Sequence, residues 1–334
     1  MSFIKYFFAG VIIPFAIVLG MAIYIQPLVG DLTRLGNVSE RSWGWNQALP
    51  VVSIYQSEQA SDVDILVIGD SFSDKDIWQS VMRDMTGFKF KTYRWEDFSS
   101  PACLEPGIIH LKRQYPNIRH VIIQTVERSA VSRFTGLKGR IDECPLTITS
   151  SIHNKASTTL AVRTKRLDRI PDTLYTIKAF LSEPKNYQQT TVSGDGYISP
   201  LKRKDLFSNQ KSDALLYYAG DLEKLKWTEM QIAESVQNLK KLSQLTSQLG
   251  IGISFAIVPD KSTAYSVYLT QSPFQDTTTD IWQKLSVASL AAINLRAAFS
   301  DNLSKTKDFY LPDDTHLSTV GYQILASEIA KSLK

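Results

Sequence analysis

The chain is poor in the residues that build metal and redox centres. Only two of its 334 residues are cysteine and four are histidine. The histidines are dispersed, and no Cys-x-x-Cys or His-x-x-x-His spacing occurs, so no metal site and no cofactor are expected. No internal repeat is present. Neither sign of charge is in excess: 37 Lys and Arg against 33 Asp and Glu leave +4, too mild and too spread to argue for a nucleic-acid partner. The short basic clusters at Arg163, Lys165, Arg166 and Arg169 and at Lys202, Arg203 and Lys204 read as solvated faces. With 43% hydrophobic and 21% charged residues, the chain has the make-up of a globular protein with a sizeable core.

One stretch departs from that balance. Phe7 to Ile25 carries no charge and comes close to the about 20 residues that cross a bilayer. Lys5 precedes it, which by the positive-inside rule leaves residues 1–6 in the cytoplasm. A cleaved signal peptide would have a shorter apolar region and a small-x-small cleavage site, whereas Met21-Ala22-Ile23-Tyr24-Ile25 offers a poor one. Residues 7–25 are therefore expected to be an uncleaved transmembrane helix, with Pro14 tolerated in mid-span. The rest of the chain then lies outside a bacterial inner membrane, in the periplasm. In such an oxidising space Cys103 and Cys144 are a candidate disulfide, with two buried free thiols as the other reading.

Residues 26–60 follow as a juxtamembrane segment. Its glycines and its two tryptophans, Trp43 and Trp45, fit a segment packed on a neighbour somewhat better than a plain linker. From residue 61 to 334 the pattern alternates strand and helix. Asp64–Ile68, Phe88–Tyr93 and His120–Val126 read as strands. Ser73 or Asp74 can cap a helix over Lys75–Met85, and a short helix ends near Tyr115. This β-α-β-α-β order predicts a parallel sheet with right-handed crossovers. The alternation lapses over about 130–220, read as an insertion, in which 155–180 could form basic amphipathic helices either side of Pro171. It resumes with a helix over Leu222–Leu249, a strand over Gly252–Val258, a helix over Asp280–Ser300, a short strand at Phe309–Leu311 and a closing helix over Thr319–Leu333.

Two places in this pattern can carry chemistry. The apolar run Ile65-Leu66-Val67-Ile68 stops at Gly69-Asp70-Ser71, which delivers one hydroxyl to the carboxyl edge of the sheet, where ligands bind in open α/β folds. The Ser71 N–H, near a helix start, can also face an oxyanion. Ser73 is the better cap, which frees Ser71. Far downstream, Asp313-Asp314-Thr315-His316 sets an acid three residues before a histidine. Asp313 as orienting acid, His316 as base and Ser71 as nucleophile make a triad, with Asp314 as the alternative acid. The competing reading is that Ser71 and the two acids merely cap helices.

Together these blocks resemble the SGNH/GDSL hydrolase superfamily. Gly69-Asp70-Ser71-Phe72 is similar to its first block, and Asp313-Asp314-Thr315-His316 followed by Gly321 is similar to its last. The resemblance implies a three-layer α/β/α, flavodoxin-like domain with the triad named above. Where the superfamily's third block carries Gly-x-Asn-Asp, this chain has Gln124-Thr125-Val126-Glu127-Arg128-Ser129, and Asp97–Leu104 holds no glycine for the second block. Two oxyanion donors of an ordinary esterase thus have no counterpart. The Glu-Arg-Ser ending and Pro259-Asp260-Lys261 with Tyr265 instead resemble the alginate and exopolysaccharide O-acetyltransferase group of that superfamily. That resemblance implies a membrane-anchored O-acetyltransferase acting on an exported polysaccharide, with acyl groups supplied by a multi-span membrane-bound O-acyltransferase. A carbohydrate esterase and a non-catalytic polysaccharide-binding subunit are the alternatives. Asp70, Arg128, Lys261 and Tyr265 are then candidates for holding substrate or oxyanion, Glu127 for pairing with Arg128 or orienting a loop, and a Cys103–Cys144 bridge would pin the rim of the site.

Overall fold

The computed structural model describes residues 2–25, 30–55, 62–137, 187–273 and 280–333, together with Cys144, Ile148, residues 159–160 and Ala179. One N-terminal helix is long and apolar enough to cross a membrane, over Phe3–Met21 (19 residues), and its apolar side chains are exposed. Helix already begins at Ser2, ahead of Lys5. Phe8–Ile12 forms a π-helical turn just before Ile13–Ile25. A widened turn there accommodates Pro14, which offers no N–H and crowds the preceding turn.

Four strands form the central sheet: β1 (Ile65–Gly69), β2 (Phe90–Arg94), β3 (His120–Val126) and β4 (Gly252–Val258). They lie in the order β2-β1-β3-β4, all parallel, with Ile65 opposite both Phe90 and His120. Burial on both faces explains their nearly unbroken apolar character. Ile65 and Val67 join Trp78, Leu325 and Ile329 on one face, while Leu66 and Ile68 join Leu104, Phe134 and Leu239 on the other. Helices Ile77–Thr86 and Thr319–Ser332 pack together on the first side, and Leu104–Gln114 and Glu229–Gln248 cover the second. The chain is thus α/β, an SGNH-like arrangement of three layers. The strand order reverses between β1 and β3, which opens a crevice at their carboxyl ends.

Several local expectations differ from the structure. The first helix starts at Ile77, not Lys75, because the Ser73 hydroxyl donates to Gln124 Oε1 (2.7 Å) instead of capping. Leu222–Leu249 is not one helix: a 3₁₀ segment, Ala219–Lys226, is separated from Glu229–Gln248 by a capping box in which Thr228 and Gln231 bond reciprocally. Asp280–Ser300 divides into Ile281–Val287 and Leu295–Leu303, since Ala291 and Ile293 between them pair with Phe255 on the open edge of β4. Phe309–Leu311 is no strand, only a single bridge between Tyr310 and Leu317. Cys103 and Cys144 are bonded. The basic stretch 155–180 lies outside the described residues apart from 159–160, which pair antiparallel with Val52–Ser53, and Ala179.

Within 187–218 a separate antiparallel sheet forms from Thr191–Ser193, Gly196–Pro200 and Ala214–Tyr218. The residues after the N-terminal helix pack on it: Leu32, Val38 and Trp43 share a buried cluster with Ile198, Ala214 and Leu216. Gly194, at φ +55, makes the tight turn there, and a Cβ on it would strike the Leu35 carbonyl at 2.1 Å.

At the amino end of β3, the His120 imidazole hydrogen-bonds the Ser254 hydroxyl at 2.9 Å, and burial pushes its pKa from 6.5 down to about 4. The folded state therefore resists protonation that the unfolded chain accepts, so this stability is full above 6.5 and lost as pH falls through about 4. Denaturant unfolding of wild type and His120→Gln across that window should show a wild-type loss larger by about 2 kcal/mol, allowing for partial exposure.

Candidate active site

Ser71 follows β1 at the sheet crevice, and a set of contacts fixes the turn that carries it. Asp70 N–H donates to Gln124 Oε1 (3.0 Å), and the buried Asp70 carboxylate accepts from Phe72 N (3.1 Å), Gln124 Nε2 (3.0 Å), Val126 N (2.7 Å) and Arg133 Nη1 (2.7 Å). Burial would raise the Asp70 carboxyl, but the Arg133 guanidinium and these hydrogen bonds outweigh it and hold it below the ordinary carboxylate value. Gly69 is required, since a Cβ there would lie 2.4 Å from Ser73 Oγ and 2.8 Å from Gln124 Oε1.

The partner comes from the other end of the chain. Leu311 N–H donates to the His316 carbonyl (3.1 Å), closing the turn that holds Pro312 to Thr315. Asp314 Oδ1 accepts from the His316 N–H (3.0 Å), an Asx-type turn that leaves the same oxygen 2.6 Å from His316 Nδ1. The other ring nitrogen, Nε2, lies 2.8 Å from Ser71 Oγ, across 245 residues of sequence. Phe72 packs against the imidazole with centroids 4.9 Å apart. With Nδ1–H held by Asp314, Nε2 is left as an acceptor for the Ser71 proton, the arrangement that activates a hydroxyl.

The acid on His316 is thus Asp314, two residues before it, and not Asp313. Asp313 is fully buried, and its carbonyl is taken by the N–H groups of Leu32 (3.0 Å) and Thr33 (3.3 Å) from the segment that follows the N-terminal helix. Asp31 Oδ2, on that same segment, lies 3.7 Å from His316 Nδ1. Asp31, Asp314 and His316 offer donor atoms within 4.8 Å of one another. The 2.6 Å contact between two of them is closer than the about 3 Å spacing of ligands around a cation and fits a hydrogen-bonded acid–base pair.

The other candidates are placed behind the site and not in it. Lys261 is 2% exposed, and its Nζ donates to the carbonyls of Leu311 (2.7 Å), Pro312 (2.9 Å) and Asp314 (3.2 Å). Burial pushes this ammonium down to about 7, opposed by Asp313 and Asp314. Tyr265 is fully buried, its hydroxyl accepting from Tyr310 N (3.4 Å). Arg128 is paired with Asp260 (2.7 Å) and Asp221 (3.3 Å). Glu127 does not pair with Arg128; it accepts from Lys224 (3.2 Å) and from the Asp260 N–H (2.9 Å). Asp70 turns its carboxylate to Arg133 and its N–H to Gln124, so it too has no donor to offer an oxyanion. Gln124, Arg133, Lys224, Asp221 and Asp31 were not anticipated. Each acts through a partner remote in sequence, and no local pattern marks it.

Residues 211–334 match the family model described as SGNH hydrolase-like domain, acetyltransferase AlgX. No curated protein and no solved structure matches the chain. The matched segment contains β4, Lys261, Asp314 and His316, whereas Ser71 lies outside it. With the fold, the match supports an enzyme of the SGNH type and an O-acetyltransferase-like or SGNH-family role.

The two neighbouring acids can be told apart by turnover of an activated ester such as p-nitrophenyl acetate. Asp314→Asn is expected to lower it by about 10³–10⁴-fold through the wrong imidazole tautomer, and Asp313→Asn by no more than about tenfold.

Proposed function

We propose that the protein is a membrane-anchored O-acyltransferase in which Ser71, His316 and Asp314 act as a triad on a polysaccharide outside the inner membrane. The observation that carries this reading is the pair of contacts at His316: Nε2 to Ser71 Oγ at 2.8 Å and Nδ1 to Asp314 Oδ1 at 2.6 Å. The Ser71 hydroxyl gives its proton to Nε2 as its oxygen attacks an acyl carbonyl, and Asp314 balances the imidazolium. Collapse of the tetrahedral adduct returns that proton to the leaving group and leaves an acyl ester on Ser71. A sugar hydroxyl then gives its proton to Nε2 and attacks the ester, and the second collapse reprotonates Ser71 Oγ. No metal or cofactor enters these steps.

An acetyl group is the favoured cargo, in keeping with the acetyltransferase family matched by 211–334. The apolar N-terminal helix supports an inner-membrane anchor, and the Cys103–Cys144 bond supports a periplasmic location. Gly30 follows Ile25, the last residue of that helix, by five positions, so chain geometry holds them within about 19 Å. The contacts of Leu32 and Thr33 with the Asp313 carbonyl support a site close to the bilayer surface. A multi-span membrane-bound O-acyltransferase could hand over its acyl group there.

In cells, Ser71→Ala should abolish acylation of the surface polymer while the protein stays in the membrane fraction. Unchanged acylation would sink the reading. Rapid hydrolysis of p-nitrophenyl acetate by the purified wild type, with no transfer to an oligosaccharide, would make it an esterase instead.

A further inference from the structure

The segment just beyond the membrane helix reaches the acid–base pair itself. Gly30 sits so close to the Asp313 backbone that a Cβ on it would lie 1.9 Å from the Asp313 oxygen. Leu32 and Thr33 donate their N–H groups to that oxygen. A brace behind them holds the segment in place: the buried Glu40 accepts from Thr33 Oγ1 (2.7 Å) and from Gly30 N (3.4 Å). Farther back, Ser193 Oγ donates to the Gly36 carbonyl (2.6 Å) and Asp195 N to the Leu35 carbonyl (2.8 Å). The segment is anchored on one side by the small sheet and on the other by the histidine turn.

This placement brings one more carboxylate to His316. Asp314 Oδ1 holds Nδ1–H at 2.6 Å, and Asp31 Oδ2 stands 3.7 Å from the same nitrogen. That is too long for a hydrogen bond but well inside the range of charge–charge attraction. Asp31 also pairs with Arg34, one turn along its own helix. A charge at this distance matters little while the imidazole is neutral and becomes favourable once the imidazole has taken the Ser71 proton. It therefore favours the transition state over the resting state.

We propose that Asp31, on the juxtamembrane helix Asp31–Leu35, is a positioning residue that stabilises the protonated His316 formed when Ser71 attacks its acyl donor. This inference rests on the acyl-transfer reading of Ser71 and His316 and adds to it that the chain beside the membrane anchor is part of the active site. The segment that fixes how close the domain sits to the bilayer then also tunes its acid–base pair.

The test uses the full-length protein in detergent micelles, labelled with a fluorophosphonate probe. The probe forms a bond from Ser71 Oγ to phosphorus, expels fluoride and passes the Ser71 proton to His316, so it needs no knowledge of the donor or the polymer. Asp31→Asn should lower the maximal labelling rate about tenfold, with the probe's half-saturation concentration and the melting temperature unchanged. Asp31→Glu should recover most of that loss. Arg34→Gln removes the ion pair but leaves the carboxylate, and should stay within about twofold of wild type. Gly30→Ala, which wedges the segment off the Asp313 carbonyl, should slow labelling, while Gly10→Ala, in open space on the membrane helix, should not. Wild-type labelling rates in Asp31→Asn would overturn the role of Asp31 and leave the triad standing. A wild type that takes no more label than Ser71→Ala would overturn the acyl-transfer reading and, with it, this inference.

Discussion

A single buried ammonium group holds the histidine turn in shape. Lys261 Nζ donates to the carbonyls of Leu311, Pro312 and Asp314, of which the Leu311 oxygen also takes the Asp314 N–H (3.3 Å) within the turn. The turn has to be irregular, because Asp314 must fold back onto the His316 N–H while His316 points away towards Ser71. Irregular backbone at a buried position is expensive unless its carbonyls find donors. Lys261 sits one residue beyond Asp260, just past the end of β4, so the position of the acid–base pair is referred directly to the central sheet. That is a more demanding task than holding a substrate carboxylate, and it explains why the side chain is withdrawn from solvent.

The nucleophile is referred to the same sheet by a different device. Asp70 and Gln124 tie the end of β1 to β3 through an amide and a carboxylate that satisfy each other and the surrounding backbone N–H groups, with Arg133 balancing the charge. A second buried network, Glu127 with Lys224 and Asp260 with Lys224 and Arg128, joins the ends of β3 and β4 to the 3₁₀ segment Ala219–Lys226. Such networks cost desolvation and repay it in geometric specificity when every member is satisfied. Here they surround the crevice where the strand order reverses, and they leave Ser71 and His316 facing each other.

The segment that follows the N-terminal apolar helix is more than a linker. Its contacts with the Asp313 carbonyl and with the small antiparallel sheet make the residues after the apolar helix part of the folded domain. The segment joins three things that are otherwise separate: the apolar N-terminal helix, the accessory sheet and the acid–base pair. Covalent geometry then keeps the end of the apolar helix within about 19 Å of Gly30.

Much was legible in the amino-acid sequence because it is local. The apolar run of the N-terminal helix, the β3 strand His120–Val126, the Gly69-Asp70-Ser71 turn and the pairing of an early serine with a late histidine all follow from periodicity or from short spacing. The choice between Asp313 and Asp314 was not, since adjacent acids have equal claims until the turn fixes which side chain faces the ring. Nor were the tasks of Arg128, Lys261 and Tyr265, which look like substrate-binding residues beside a strand end but are used up by buried partners. The split of Leu222–Leu249 was within reach, because Thr228 and Gln231 spell a capping box. The sequence alone determined the four parallel strands, the apolar N-terminal helix and the chemical types at the site, because these depend on neighbours a few residues away. Only the tertiary structure decided which acid meets His316 and that Asp31 stands beside it. Those contacts span up to 285 positions from Asp31 to His316, and only the folded sheet brings them within hydrogen-bonding and Coulombic range.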